Sequence, residues 1–567
     1  MSAIPDAWQR ATSRAHGLGR RGDRLLGWLV PVGIALLAFC MRVWRLGTPD
    51  RFSFDETYYA KDAWSLLQNG YVRNYLADVD GVPVNDAIID GRTTDLWGDG
   101  PSMEVHPEVG KWLIALGEKA FGMDPFGWRI AAVVIGSLMV LVLCRLARRL
   151  TGSTLLGCLA GLLLAFDGLH FVLSRLALLD IFLAFFLLCG VSCLVADRDW
   201  HRARMARLID PDEPPGQGDW GPVRGLLVRP WLLTAGLCFG LALGTKWTAA
   251  YPLAAFGLLV WLWSAGARRS FGVRRAVLRS ALVDGVPAFA QLVLVAVVVY
   301  VASWTAWLAN AGEYEEYLSS TQYTQFVAER PCVGEGEDRT TDHETDPTRR
   351  WPTATEPDAS GPAELVQSLR SLWAYHRDVY TFHTHYLNCS SHTYQSSPSG
   401  WLLINRPVGV ATDLEVEPGE QGCTAAEDST CYRQVLLIGT PILWWGGALA
   451  LIAAAFLWVG TRDWRYGLAV VGAGSTWLPW LLYDDRPIFY FYAIACLPFT
   501  ILAITLVLGR LIGPDPAPSR RRTAGVVAAG AFTVLVVANF AYFYPILSYE
   551  VITRDGWLDR MWFHRWI

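Results

Sequence analysis

The chain has 567 residues, 53% of them hydrophobic and 18% charged, with a formal net charge of −4. Its mean hydropathy is +0.27, and it repeats apolar stretches of roughly 17–22 residues, the length that crosses a hydrocarbon core. Those features exclude a string of soluble domains and define a polytopic membrane protein. The net charge carries no information as a sum, because the two signs fall on different sides of a membrane, and no nucleic-acid partner is expected.

Residues 1–26 form a polar, Arg-bearing tail. No small-residue cleavage site follows the first apolar run, so a cleavable signal peptide is not expected. Apolar runs then fall near 27–46, 128–147, 154–170, 176–196, 231–245, 247–264, 286–304, 435–458, 467–483, 488–509 and 524–544. Arginine clusters set their direction. Arg20, Arg21 and Arg24 precede the first run, and Arg145, Arg148 and Arg149 close the second. Arg198 and Arg202 follow the fourth, Arg268 and Arg269 the sixth, Arg462 and Arg465 the eighth, and Arg520, Arg521 and Arg522 the tenth. With eleven spans every cluster lies on one side, as the positive-inside rule demands, and adding or removing one span breaks the alternation. The fold class expected is therefore all-α and polytopic, with about eleven transmembrane helices, a cytoplasmic N-terminus and an external C-terminus.

This count divides the chain into a cytoplasmic tail (1–26), spans one to seven (27–304), a large external region (305–434), spans eight to eleven (435–544) and an external C-terminal tail (545–567). The first external loop, 47–127, carries Phe52-Ser-Phe54-Asp55-Glu56-Thr-Tyr58-Tyr59. A loop that only reaches water does not need so many aromatic side chains. Tyr58 to Leu67 has an apolar stripe at helical spacing, as in a helix lying along the bilayer surface. The acid pair is thus held at the membrane–water boundary, where partial desolvation raises a carboxyl toward a useful base. In the cytoplasm, 197–230 contains Pro-Asp-Glu-Pro-Pro-Gly and reads as a linker. The acidic stretch from Glu335 to Glu364 reads as mobile.

Of the 11 cysteines, seven sit in or beside apolar runs and read as packing residues. Cys332, Cys389, Cys423 and Cys431 share the external segment. Cys423 and Cys431 are close enough in sequence to close a small disulfide loop in an oxidising compartment. No Cys-x-x-Cys or paired His at ligand spacing supports a metal site.

The topology also places Asp167, His170, Arg175, Lys246, Asp484, Asp485 and Arg486 at external ends of spans, with Asp180 about one turn deeper. A snorkelling or capping role accounts for any one of them alone. Their gathering at the depth of Asp55 points to a polar pocket open to the outer face. Arg129 and Lys246 suit phosphate, one as a planar fork and the other as a point charge. His383, His385 and His392 read individually as solvated surface residues.

Phe54-Asp55-Glu56, His106-Pro107-x-x-Gly110-Lys111, Asp167-Gly168…Ser174-Arg175…Asp180, Gly-Thr-Lys246-Trp247 and His392-x-Tyr394-x-Ser396-Ser397-Pro398-x-Gly-Trp401 occur in that order. In this the chain resembles the protein O-mannosyltransferases, membrane glycosyltransferases of the GT-C architecture, with the pattern nearest to actinobacterial members. It departs from them at Glu108, where a second proline is usual, and in lacking a His in the motif around Arg486. The external region 305–434 is also short for the sugar-binding module of eukaryotic relatives.

The resemblance implies a plasma-membrane enzyme, active at the external face, that moves mannose from a polyprenyl-phosphate carrier to Ser or Thr of exported polypeptides. Besides membrane lipids, the export machinery is a further expected partner. Asp55 is the expected general base, with Glu56 binding the acceptor or tuning Asp55. Arg129, Arg175, Asp180, Lys246 and Arg486 are assigned to donor phosphate and sugar, and His106, Lys111 and His392 to the acceptor or the pocket. A lipid-phosphate leaving group needs less help than a nucleotide diphosphate, and no Asp-x-Asp triplet lies at the outer face, so no obligatory cofactor or metal is expected. The rival reading is a lipid-phosphate-sugar transferase of the same architecture acting on a glycan or lipid. A transporter is disfavoured because the polar groups gather at one face.

Overall fold

The structure, a computed structural model, describes residues 20–209, 219–325, 332–333, 340–341, 351–513, 517 and 519–567. The expected N-terminal tail up to residue 19, the Pro-rich linker centre and the acidic stretch around Glu335 lie outside the described residues.

Among the described residues eight helices are long and apolar enough to cross a membrane. In chain order the helices that matter here are α1 (Arg20–Val43), α2 (Glu56–Asn69), α3 (Val109–Phe121), α4 (Pro125–Thr151), α5 (Thr154–Ala165), α6 (Leu179–Leu208), α7 (Pro230–Leu243) and α8 (Ala250–Ser270). A bent helical stretch, Ala276–Ala302, follows. After the 305–434 region come α9 (Pro441–Thr461), α10 (Trp464–Trp477), α11 (Leu497–Ile512) and α12 (Arg520–Leu547). Helices α5 and α11 are apolar but shorter than the eight. Most of the apolar length of α6 is buried, making it the centre of the bundle, whereas 276–302 turns most of its side chains outward.

Local sequence explains the helix ends. Asp124 caps α4 by accepting from the Gly127 N–H at 2.7 Å, and Pro125 occupies the first turn where its missing N–H costs nothing. Gly152 ends α4 in the left-handed region (φ +69°), and Ser153 at once caps α5. This tight reversal presses α4 and α5 together. A Cβ at Gly161 would meet Cys144 Sγ at 2.0 Å, so only glycine permits the approach.

The end of the bundle opposite Asp55 is locked by buried ion pairs. Asp197 of α6 pairs with Arg229 at the start of α7. Arg268 of α8 donates to Asp284 at 2.8 Å and to the Pro222 carbonyl at 3.0 Å.

Outside the spans the expected all-helical character gives way to small sheets, because exposed segments can pair strands once they leave the bilayer. Strands β1 (Arg73–Tyr75) and β2 (Trp97–Pro101) pair in the first loop. Strands β3 (Val408–Val416), β4 (Cys431–Leu437) and β5 (Ile552–Thr553) form an antiparallel sheet in that order. Cys423 and Cys431 are joined by a disulfide, and Cys389 is disulfide-bonded as well. The C-terminal segment is docked: Trp566 is buried and donates to the Ile404 carbonyl at 2.7 Å, and Arg406 holds the carbonyls of Arg565 and Ile567.

Removing one member of a buried pair strands the other charge, at a cost of about 3–5 kcal/mol. Asp197→Ala is expected to lower the thermal unfolding midpoint of the purified protein in detergent, and Asp197→Ala/Arg229→Met to recover most of the loss.

Candidate active site

The chain leaves α1, turns at Pro49 and reaches Phe54, whose φ of +55° puts it in the left-handed region. That conformation is costly for a bulky residue, and packing holds it there. The Phe54 ring meets Phe489, Phe491 and His392 edge-on, at centroid distances of 5.6, 5.8 and 6.1 Å. Asp55 is the N-cap residue of α2 and Glu56 its first residue.

Glu56 is fully buried and every acceptor position it has is used. Its Oε2 accepts from the Ser53 N–H at 2.9 Å and its Oε1 from the Ala177 N–H at 3.0 Å. Arg129 of α4 donates from Nε to Oε1 at 2.8 Å and from Nη2 to Oε2 at 2.7 Å. The same guanidinium also holds the carbonyls of Leu46, Pro49 and Arg51. Glu56 and Arg129 therefore staple the first loop to α4 and to the segment entering α6. With Glu56 turned into the bundle, its neighbour Asp55 is presented to a different side.

There it joins side chains from five other stretches. Lys246, just past α7, donates to Asp180 in the first turn of α6 at 2.8 and 3.0 Å, and its Nζ stands 4.8 Å from the Tyr492 ring centroid. Both charges of that pair act on Asp55, and the Tyr59 hydroxyl hydrogen-bonds to it. Burial pushes the Asp55 carboxyl up to about 6; Asp180 adds to the rise, while Lys246 and Tyr59 oppose it. The residue remains partly accessible. The His106 ring lies 6.1 Å from Tyr59 and 5.8 Å from His383, on which it stacks. Arg486 donates to His383 Nδ1 at 2.9 Å, and its Nε has no partner among the described residues. Burial, then the charge of Lys246, holds His106 well below the ordinary histidine range; burial and Arg486 bring His383 down to about 3. Both imidazoles are neutral at physiological pH.

Asp55, Asp180, Lys246, His106 and Arg486 thus share one pocket, with His392 at its edge through Phe54. The other expected site residues stand elsewhere. Arg129 is spent on Glu56 and three carbonyls, so neither it nor Glu56 reaches into the pocket. Arg175 is buried and donates to the carbonyls of Arg42, Trp44 and Arg45. Lys111 is fully buried between Asp62 and Glu104, at 2.8 and 2.7 Å. Asp167 caps the short helix Gly168–Leu173 and accepts from Trp444 Nε1, and His170 pairs with Arg42. Asp484 is exposed and bonds Ser397, and Asp485 is exposed.

Glu108, the departure noted above, accepts from Trp112 Nε1 and the Trp307 N–H, both at 3.0 Å, and burial pushes it up to about 8. His383, read from sequence as a solvated residue, is a pocket member instead. Tyr59 and Tyr492 were not singled out, although Tyr59 lies one helical turn after Asp55, a spacing that places it beside the acid. Among the described residues no group of three or more His, Cys, Asp or Glu gathers at metal-ligand spacing.

Residues 32–207 match the family model described as dolichyl-phosphate-mannose-protein mannosyltransferase, and 368–566 the C-terminal four-TMM region of protein-O-mannosyltransferase. A polyprenol-phosphate-mannose–protein mannosyltransferase of Mycolicibacterium smegmatis is 35% identical over 552 residues, covering 96% of this chain and 94% of that one. The protein of that description from Mycobacterium tuberculosis is 34% identical over 549 residues, covering 96% and 92%. Among solved structures, the Saccharomyces cerevisiae protein O-mannosyltransferase Pmt1–Pmt2 complex bound to the sugar donor shares the fold, with a TM-score of 0.63 at 14% identity over 95% of this chain and 92% of that one.

Lysine cannot reproduce the five-bond fork of Arg129. Arg129→Lys is expected to lower stability by about 3 kcal/mol or more and to expose the 47–56 segment to protease, with activity falling in step with folded protein. A selective rise in donor KM with unchanged protease resistance would contradict the staple role.

Proposed function

This chain belongs to the protein mannosyltransferase family, and we propose that it transfers mannose from a polyprenyl-phosphate mannose to Ser and Thr hydroxyls of exported polypeptides in one inverting displacement. Asp55 takes the proton of the acceptor hydroxyl as that oxygen attacks the anomeric carbon. The bond from that carbon to the phosphate oxygen breaks on the opposite face, and its electron pair leaves with the polyprenyl phosphate. One carboxylate therefore suffices, and no covalent sugar–enzyme intermediate forms.

The observation that carries this reading is the pairing of a half-buried carboxyl poised near 6 with two cations, Lys246 and Arg486, facing the same pocket. A general base works best when its pKa lies near the operating pH. Lys246, oriented by Asp180, and Arg486, whose Nε has no partner among the described residues, are the groups able to meet a departing phosphate. Arg129, Arg175 and Lys111 are reassigned to holding the scaffold. Neutral His106 offers hydrogen bonds to sugar hydroxyls without competing for the phosphate charge, while His383, held between Arg486 and the Val105 carbonyl, positions Arg486.

Eleven spans follow from adding α5, α10 with its extension to Leu482, and α11 to the eight long helices. The arginine clusters then put the N-terminus in the cytoplasm, and Asp55, the disulfide-bonded 305–434 region and the C-terminus at the external face of the plasma membrane. The acceptor arrives there as an exported chain, in reach of the export machinery. The lipid tail of the donor stays between spans while its head reaches Asp55.

Asp55→Asn is expected to lower transfer to a Ser/Thr-rich peptide by about 10²–10⁴-fold with protein level and unfolding midpoint unchanged; near-normal turnover would remove the base. Because the base must be ionised, kcat/KM is expected to rise with pH through about 6 and to level off above it. A flat profile between pH 5 and 8 would contradict the assignment. Lys246→Ala and Arg486→Ala are expected to raise donor KM more than acceptor KM, read by titrating each substrate separately. Label from the donor that enters only lipid or glycan would favour the rival acceptor class.

A further inference from the structure

A groove of about 520 Å³ opens between the first and last spans, α1 and α12. Cys40, Met41 and Trp44 line one wall and Phe540, Ala541 and Tyr544 the other, and none of them belongs to the pocket around Asp55. The lining is almost wholly apolar. The groove runs along the last turns of both helices, and Trp44 precedes Asp55 by only a short loop, so it opens at the same membrane face.

Three arginines stand next to its lining residues in the chain or behind them, one exposed and two buried. Arg45, the residue after Trp44, is exposed, and its guanidinium has no hydrogen bond or ion pair among the described residues. Behind it, Arg175 donates to the carbonyls of Trp44 and Arg45 at 2.7 and 3.2 Å and interacts electrostatically with the Tyr544 hydroxyl. Arg42 is buried against the carbonyls of Ala38 and Ala165, both at 3.1 Å. Asp167, a carboxylate that acts on Arg42, is fully buried and already accepts from the His170 and Thr440 N–H groups and Trp444 Nε1. No carboxylate pairs with Arg42, Arg45 or Arg175 among the described residues.

A greasy slot with room for one hydrocarbon chain, beside one exposed guanidinium without a carboxylate partner among the described residues and a tyrosine hydroxyl, has the chemistry of a phospholipid site. We infer that this groove holds one anionic phospholipid of the surrounding leaflet, its acyl chain between Trp44 and Phe540 and its phosphate against Arg45 and Tyr544. The lipid bridges the first and last spans, which otherwise present much of their surface outward. Net positive charge selects an anionic headgroup over a zwitterionic one.

The test uses the full chain, purified in mild detergent, delipidated and examined by native mass spectrometry with added phosphatidylglycerol or phosphatidylcholine. Phosphatidylglycerol is expected to bind one per chain and more tightly than phosphatidylcholine. Arg45→Gln, an exposed and structurally mild change, is expected to weaken it by about fivefold. Ala541→Trp is expected to fill the slot and abolish binding, with donor KM unchanged in both variants. The inference is overturned if the variants retain phosphatidylglycerol as the wild type does, or if phosphatidylcholine binds equally. It is also overturned if polyprenyl phosphate displaces the lipid with the same dependence on both variants, which would make the groove part of the carrier path.

Discussion

The structure turns on the buried pair between Arg129 and Glu56. Taking two charges out of water costs several kcal/mol each, and only near-complete hydrogen bonding offsets it. Here Glu56 accepts from Ser53, Ala177 and Arg129, while Arg129 also holds three carbonyls of the first loop. The pair contributes little net stability compared with a hydrophobic replacement, but it admits one arrangement of the loop. Fixing Glu56 inward fixes where Asp55 points, because the two are consecutive at the start of one helix.

From that constraint the electrostatics of the pocket follow. Asp55 is desolvated enough to hold its proton up to about 6, yet Lys246 and Tyr59 keep it from rising further. The Lys246–Asp180 pair brings a cation beside Asp55 without adding net charge there. Phe54, held in a left-handed conformation by Phe489, Phe491 and His392, closes the other side. The late aromatic motif and the His392–Trp401 stretch thus act through packing on Asp55's neighbour.

The polytopic, helical character was legible in the sequence because bilayer crossing demands long apolar runs. Asp55, Lys246 and Arg486 were legible as charges at the ends of those runs. Which charges face one another was not. Arg129, Arg175, Lys111, Lys246 and Arg486 look alike as lone cations near an interface, yet three are consumed by internal partners. Those partners are mostly main-chain carbonyls, which leave no trace in the residue types. His383 was misread because it sits on the irregular end of a helix in a segment without apolar periodicity. The docking of the C-terminal segment through Trp566 and β5 was equally hidden, since it rests on long-range contacts of a short stretch that mixes charges with aromatic residues.

The most direct test is a density map of the protein with polyprenyl-phosphate mannose bound. The phosphate is expected on Lys246 and Arg486, and the anomeric carbon where an acceptor oxygen can lie between it and Asp55, with the Arg129–Glu56 pair intact. A phosphate on Arg129, Arg175 or Lys111, or a sugar out of reach of Asp55, would contradict this placement.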